Sequence, residues 1–264
     1  MGQKIIFSFL LQAVLCIGLL QAQSISEYRS QQCLNGWWDF IPVMTSEGKR
    51  FSQPGNVPVQ GWIKNGMIVP GSWKKSGSEL KSGSEFWAQW RVSDSYNFPE
   101  QWDSSNTAWY RRSIQIKEIK KNRAYFLRFD GVLRESWIFV NGIEVGHRKE
   151  GSLPSEHEIT SALKPGNNEI VVYVTDYKRD ENGRTFVHVG TDQMGAIMGI
   201  WGDVFLEEKP LVRIEDLTIR TSTRKNELSL LYTLHNDGKK NITLTPEITV
   251  STKDKTHLSF SDAQ

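Results

Sequence analysis

At 264 residues the chain has room for one large domain or two small ones, each with a sizeable core. Its 32 Lys and Arg stand against 30 Asp and Glu, a formal net charge of +2 with both signs interspersed. That balance argues against a nucleic-acid or membrane partner, which would call for a basic stripe or block, and it is compatible with a neutral ligand.

Residues Ile5 to Leu20 are nearly all apolar, with Lys4 before them and Gln21-Ala22-Gln23 after, the layout of a secretory signal with small residues at its cleavage site. Cleavage is expected after Ala22 or Gln23, which assigns residues 1–22 to the signal and a secreted or periplasmic address to the rest. The run is too short for a confident membrane span of about 20 residues, and no later stretch approaches that length. Lipidation of Cys16 is disfavoured, because Leu15 stands where a small residue is needed and Ile17 to Leu20 prolong the apolar core. Loss of the signal leaves Cys33 as the remaining thiol, so no internal disulfide forms. Cys33 is expected as a small buried hydrophobe near the first strand, and no cysteine-hydrolase signature surrounds it.

Helix signals are almost absent beyond the signal, since no stretch keeps apolar residues at i, i+3, i+4 and i+7 across three turns. Alternation predicts strands through Tyr125, Leu127 and Phe129; Trp137 and Phe139; Ile170, Val172 and Val174; and Leu228, Leu230, Tyr232 and Leu234, each with one face toward a core. Asn141-Gly142 between Trp137-Val140 and Ile143-Val145 predicts a tight hairpin with positive φ at both turn residues, and Asp237-Gly238 is expected to do similar work. Glu158 to Leu163 reads as no more than one helical turn, closed by Lys164-Pro165-Gly166.

A boundary is expected near Lys209-Pro210, where one strand ends and Leu211 to Arg220 opens fresh alternation. Two sandwiches in tandem follow, over residues 23–209 and 210–264. An immunoglobulin-like sandwich takes about 100 residues and seven strands, so the second reads as cut roughly in half.

Several segments then fall into a recognisable order. Leu34-Asn35-Gly36-Trp37-Trp38-Asp39-Phe40 sets an Asn-Gly turn before a buried aromatic. Val69-Pro70-Gly71-Ser72-Trp73 forms a Val-Pro-x-x-Trp loop. Trp109-Tyr110-Arg111-Arg112 opens a strand, Leu127 to Val174 alternates strands with turns, and Gly199-Ile200-Trp201-Gly202-Asp203-Val204 closes the series. Each is weak alone, but five in order are fairly specific. The set resembles the N-terminal sugar-binding domain of the family 2 glycoside hydrolases, the β-galactosidase, β-glucuronidase and β-mannosidase group.

The resemblance implies an all-β protein: a galactose-binding-like jelly-roll β-sandwich, an incomplete immunoglobulin-like β-sandwich, and in the family a (β/α)8 barrel that is absent here. Retaining hydrolysis needs two carboxyl groups about 5–5.5 Å apart. In the family both come from the barrel, the acid/base within Asn-Glu-Pro. Here Asn168-Glu169 and Asn226-Glu227 precede Ile and Leu inside strand patterns, so no catalytic residue is assigned. The resemblance also implies that acidic residues before the Gly-Ile-Trp segment reach a sugar, which makes Asp192 the candidate contact, although its spacing to Gly199 needs a gap. His188 would join the same pocket.

Of the 10 tryptophans, Trp87, Trp90 and Trp102 fall in the Ser/Gly-rich stretch between Gly77 and Ser105. Flat rings stack on the C–H faces of sugars, so these three could form a glycan platform; the alternative is that they fill the core or pack against a barrel. The five histidines, at 147, 157, 188, 235 and 257, show no metal spacing. Asp176, Asp180, Glu181 and Asn182 lack the pattern of a calcium loop, and Gly131, Gly146, Gly151 and Gly190 build no phosphate loop. No metal or cofactor is expected. Asn241-Ile242-Thr243 is a formal glycosylation sequon. The reading is the non-catalytic N-terminal portion of a secreted family 2 glycosidase, partnered by carbohydrate and by a barrel in a longer polypeptide or separate subunit. The alternatives are a stand-alone carbohydrate-binding module and a non-functional remnant.

Overall fold

The computed structural model describes residues 29–44, 54–73, 98–105, 107–133, 135–149, 151, 153–175, 178–179, 185–186, 199–225, 227–243, 248–252 and 255–260. The chain divides into two units, Met1–Pro210 and Leu211–Gln264. The first contains β1 (Ser30–Cys33), β2 (Gly36–Val43), β3 (Ile63–Val69), β4 (Thr107–Ile116), β5 (Arg123–Phe129), β6 (Val132–Leu133), β7 (Glu135–Val140), β8 (Ile143–Arg148) and β9 (Ser155–Glu158). It continues with β10 (Gly166–Thr175), β11 (Lys178–Arg179), β12 (Thr185–Phe186), β13 (Gly199–Ile200) and β14 (Val204–Pro210). The only helical elements among the described residues are short 3₁₀ turns at Glu100–Ser104 and Thr160–Ala162.

Two antiparallel sheets face one another, β1-β14-β5-β9 and β3-β2-β4-β10-β7-β8, the jelly-roll sandwich expected. Period-two alternation explains the core between them, because Trp38 and Phe40, Tyr110 and Ile114, Leu127 and Phe129, and Ile170, Val172 and Val174 all point inward and are buried. Burying such side chains contributes about 1.5–3 kcal/mol each relative to exposure.

The expectation for β7 needs correcting as to which core is meant. Ile138 and Val140 enter the space between the sheets, whereas Trp137 and Phe139 join Trp109, Val171 and Tyr173 in a second cluster on the outer face of the six-stranded sheet. Both faces of these central strands are therefore apolar, which periodicity cannot resolve. On the outer face of the smaller sheet, Lys209 is buried with its Nζ 2.6 Å from Glu156 and 3.3 Å from Glu207.

The Asn141-Gly142 turn takes φ of 52° and 80°, as a primed hairpin requires. Asn141 also ties that turn to the next, since its Nδ2 donates to Ala162 O and to Asn168 Oδ1, both at 2.8 Å. Asn168 is fully buried; its Nδ2 donates to the carbonyls of Lys164 and Gly166, and its Oδ1 accepts from the Lys164 amide. Cys33, expected to be buried, is free and exposed on β1, because β1 is an edge strand of the smaller sheet.

The second unit comprises two separate two-stranded hairpins, β15 (Val212–Ser222) with β16 (Glu227–Asn236) and β17 (Ile248–Thr252) with β18 (Lys255–Phe260). Arg213 is nearly buried and holds Asp237 at 2.6 Å. Asp237-Gly238 does not form the hairpin turn anticipated; it follows β16 and leads the chain out of the hairpin. Nor does the Leu228 to Leu234 alternation face a core, for Leu228 and Leu234 are 42% and 46% exposed, alongside Ile214, Leu217 and Ile219 on the paired strand.

His157 lies under β8, where a Cβ on Gly146 would come 2.0 Å from its Nδ1. Burial, then the nearby Arg148, push the imidazole down to about 4; His147 lowers it further and Glu156 opposes the shift. The native state then binds fewer protons than the unfolded chain between that value and about 6.5. The stabilisation is complete above pH 6.5 and is lost as pH falls toward 4, by about 3 kcal/mol in the limit. Urea unfolding from pH 7 to 4 should show wild type losing stability more steeply than His157→Gln, and parallel curves would contradict the assignment.

Candidate functional site

One end of the sandwich gathers the points from which the longest connections depart. Ser105 is buried just before β4, and its hydroxyl reaches the carbonyls of Thr107 at 2.6 Å and Val43 at 3.0 Å. Trp73 Nε1 donates to Ser105 O at 3.0 Å, and Gly71 N donates to Ile200 O at 2.8 Å. Thr107 and Thr175 face one another across β4 and β10, their hydroxyls 3.3 Å apart. Residues 43, 73, 98, 175 and 199, which flank residues 45–53, 74–97 and 176–198, thus converge on the first turns of β4.

The Gly-Ile-Trp-Gly segment is locked into this end by close approach. Gly199 has φ of 106°, and a Cβ there would stand 2.1 Å from Tyr110 Oη and 2.9 Å from the Trp73 ring. A Cβ on Gly131 would meet the Trp201 ring at 2.5 Å, and one on Gly202 would meet the Gly131 backbone at 2.3 Å. Trp201 N and Gly202 N both donate to Gly131 O, at 3.1 and 3.0 Å. Ile200, between Gly199 and Trp201, is fully buried. Burial drives the Tyr110 phenol well above its ordinary range; the Ile200 backbone opposes this in part, although its geometry falls short of a hydrogen bond.

Asn35 explains the opening motif in the same way. Its Oδ1 accepts from Val204 N at 3.0 Å, its Nδ2 donates to Asp203 at 2.8 Å, and its carbonyl accepts from Arg112 at 3.1 Å. Trp38 Nε1 donates to Leu34 O at 2.9 Å, so both buried partners are satisfied.

Trp87, Trp90, His188 and Asp192 lie outside the described residues, as do Asp176, Asp180, Glu181 and Asn182. Trp102 is described, and it is a core residue at 5% exposure. Its ring stacks on Phe98 with centroids 5.4 Å apart and tilts against Phe40 at 4.9 Å, the packing role that was the alternative to a platform. Phe98 and Trp102 instead fix the chain as it returns to β4.

The outer face of the six-stranded sheet holds polar groups that the sequence did not single out. Arg111 lies 4.3 Å over Trp62, its Nη2 2.7 Å from Asp39 and its Nη1 3.7 Å from Glu169. His147 stacks on Trp137 at 4.2 Å and meets Glu135 at 2.7 Å. Register carries the signal for these, since Asp39 pairs with Arg111 and Trp137 with His147 across neighbouring strands. Glu169 faces a cation, and Glu227 accepts from Ser229, so neither Asn-Glu carboxylate is set up as a general acid. Among the described residues no cluster of His, Cys, Asp and Glu could hold a metal.

The family model described as the sugar binding domain of glycosyl hydrolases family 2 matches residues 32–210. A β-galactosidase of Psychromonas ingrahamii is 26% identical over 200 residues, aligned with 72% of this chain and 17% of that protein. One from Priestia megaterium is 27% identical over 198 residues, 74% of this chain and 18% of that protein. The chain therefore spans less than a fifth of the length of these curated relatives. A solved β-glucuronidase from an uncultured Clostridium sp. superimposes with a TM-score of 0.62 over 90% of this chain and 38% of that chain, at 19% identity, a likeness of fold.

Gly199→Ala should destabilise the protein by about 3 kcal/mol or more, through strain at positive φ and collision with Tyr110. Gly55→Ala, where nothing lies within 4 Å, is the control and should change stability by less than about 0.5 kcal/mol. Equal unfolding midpoints for the two variants would show that the close approach is not structural.

Proposed function

The chain belongs to glycosyl hydrolases family 2 through its sugar binding domain, and from this we propose that it is the non-catalytic N-terminal portion of a secreted β-galactosidase- or β-glucuronidase-like glycosidase. The observation that carries the reading is the match over residues 32–210 on a sandwich whose β4 end anchors the segments holding Trp87, Trp90, His188 and Asp192. In that role the domain shapes the rim of a substrate site whose two carboxylates reside in a barrel, within a longer polypeptide or a separate subunit. Carbohydrate is the ligand, with Asp192 and His188 as polar contacts and Trp87 and Trp90 as stacking faces.

The apolar leader at Ile5 to Leu20 supports export to the periplasm or medium. A stand-alone binding module is the second reading. It is disfavoured by the row of Ile214, Leu217, Ile219, Leu228 and Leu234 on one hairpin, each more than 40% exposed, which a lone secreted domain would have to keep in water.

The purified chain should release no nitrophenol from nitrophenyl β-galactoside or β-glucuronide above a heat-denatured control. Measurable turnover that tracks the chain through purification would overturn the non-catalytic assignment.

A further inference from the structure

Trp38 points into the core, so its neighbour Trp37 points to the outer face of the six-stranded sheet, where it is 43% exposed. Asp39, on the same face of β2, pairs with Arg111 of β4, and that register carried two residues further sets Trp37 opposite Ser113. The pair between them faces inward, with the Arg112 guanidinium 5.8 Å from the Trp38 ring. Ser113 in turn pairs with Glu169 of β10, and Gln115 with Asn167. Ser113 is six residues from Thr107, which puts this patch about 20 Å along β4 from the loop-bearing end. We propose that the patch is a carbohydrate platform, on which a neutral sugar stacks against Trp37 and is hydrogen-bonded by Ser113, Gln115 and Glu169. The proposal rests on the sugar-binding reading above and adds the surface and the class of sugar.

A half-exposed indole offers the flat apolar surface that the C–H face of a pyranose requires. The polar groups beside it are uncommitted. The Ser113 hydroxyl makes no hydrogen bond with another described residue. The Glu169 carboxylate, 41% exposed, accepts none either, Arg111 Nη1 standing 3.7 Å away and beyond hydrogen-bond reach. Two carboxylate oxygens accept from vicinal sugar hydroxyls, and a serine hydroxyl both donates and accepts. Gln115 Nε2 donates to Asn167 Oδ1 at 3.2 Å, which leaves its Oε1 as a further acceptor. Neighbouring strands lie about 4.8 Å apart, so Trp37, Ser113 and Glu169 form a row about 10 Å wide, room for a sugar ring and its hydroxyls. Charge decides the class of sugar. Arg111 is already engaged, its Nη2 2.7 Å and its Nε 3.2 Å from Asp39 Oδ2, with its guanidinium 4.3 Å over Trp62. It is therefore not offered to a carboxylate on the ligand, and Glu169 repels one, so a galactoside is accepted and a uronide refused.

The test is a titration of the full 264-residue chain with lactose, methyl β-D-galactopyranoside and methyl β-D-glucuronide, followed by ¹H–¹⁵N NMR. The Trp37 indole signal and the Ser113 and Glu169 amides should shift with the two neutral sugars and stay in place with the uronide. Glu169→Ala should weaken the binding about tenfold, with the unfolding midpoint and core signals unchanged. Trp37→Ala should abolish it, and Trp37→Phe, which keeps a flat ring on the same strand, should restore it in part. Shifts confined to the residues flanking 73, 98, 175 and 199, with all three variants binding as wild type, would overturn the platform and leave the sugar-binding function standing. Equal shifts of Trp37 with the uronide would overturn the selection of a neutral sugar. No shift with any of the three at tens of millimolar would overturn both the platform and the sugar-binding reading.

Discussion

The constraint on which the loop-bearing end depends is that backbone passes backbone and aromatic ring too closely for any β-carbon. Gly199 against Tyr110 and Trp73, Gly131 against Trp201, and Gly202 against Gly131 are three such crossings within one patch. The first sets the 199–202 segment against β4 and Trp73, the other two set it against Gly131, and hydrogen bonds from Gly71, Trp201 and Gly202 then tie these segments. Packing at interior density transmits displacement, so a methyl group at any crossing would be felt at Tyr110 and hence along β4. The functional consequence is preorganisation: the connections proposed to contact sugar start from fixed points, which lowers the entropy lost on binding.

Much of the sandwich was legible because strands write their burial every second residue. Tyr125, Leu127 and Phe129, and Ile170, Val172 and Val174, fill the space between the sheets as their spacing requires. The Asn141-Gly142 turn was legible for a different reason, since few other pairs tolerate positive φ twice in succession. Where the pattern misled, a tertiary fact decided. Trp137 and Phe139 sit on a strand apolar on both faces. Cys33 lies on an edge, and Leu228 to Leu234 alternate on a hairpin with no sheet over that face among the described residues.

The site was less legible than the fold. Tryptophan is suited to stacking on sugars and equally suited to filling a core, and only its neighbours distinguish the two; Phe98 and Phe40 place Trp102 in the core.

Hydrogen exchange at the amides of Trp201 and Gly202, read against that of Tyr110 in the centre of β4, tests the close-packed junction most directly. Those two amides donate to Gly131 O in a short segment outside the main sheets. If the glycine crossings organise this end, they exchange only through global opening, as slowly as Tyr110. Exchange at the rate of an exposed loop, with Tyr110 still protected, would contradict the junction as the anchor of the loop-bearing end.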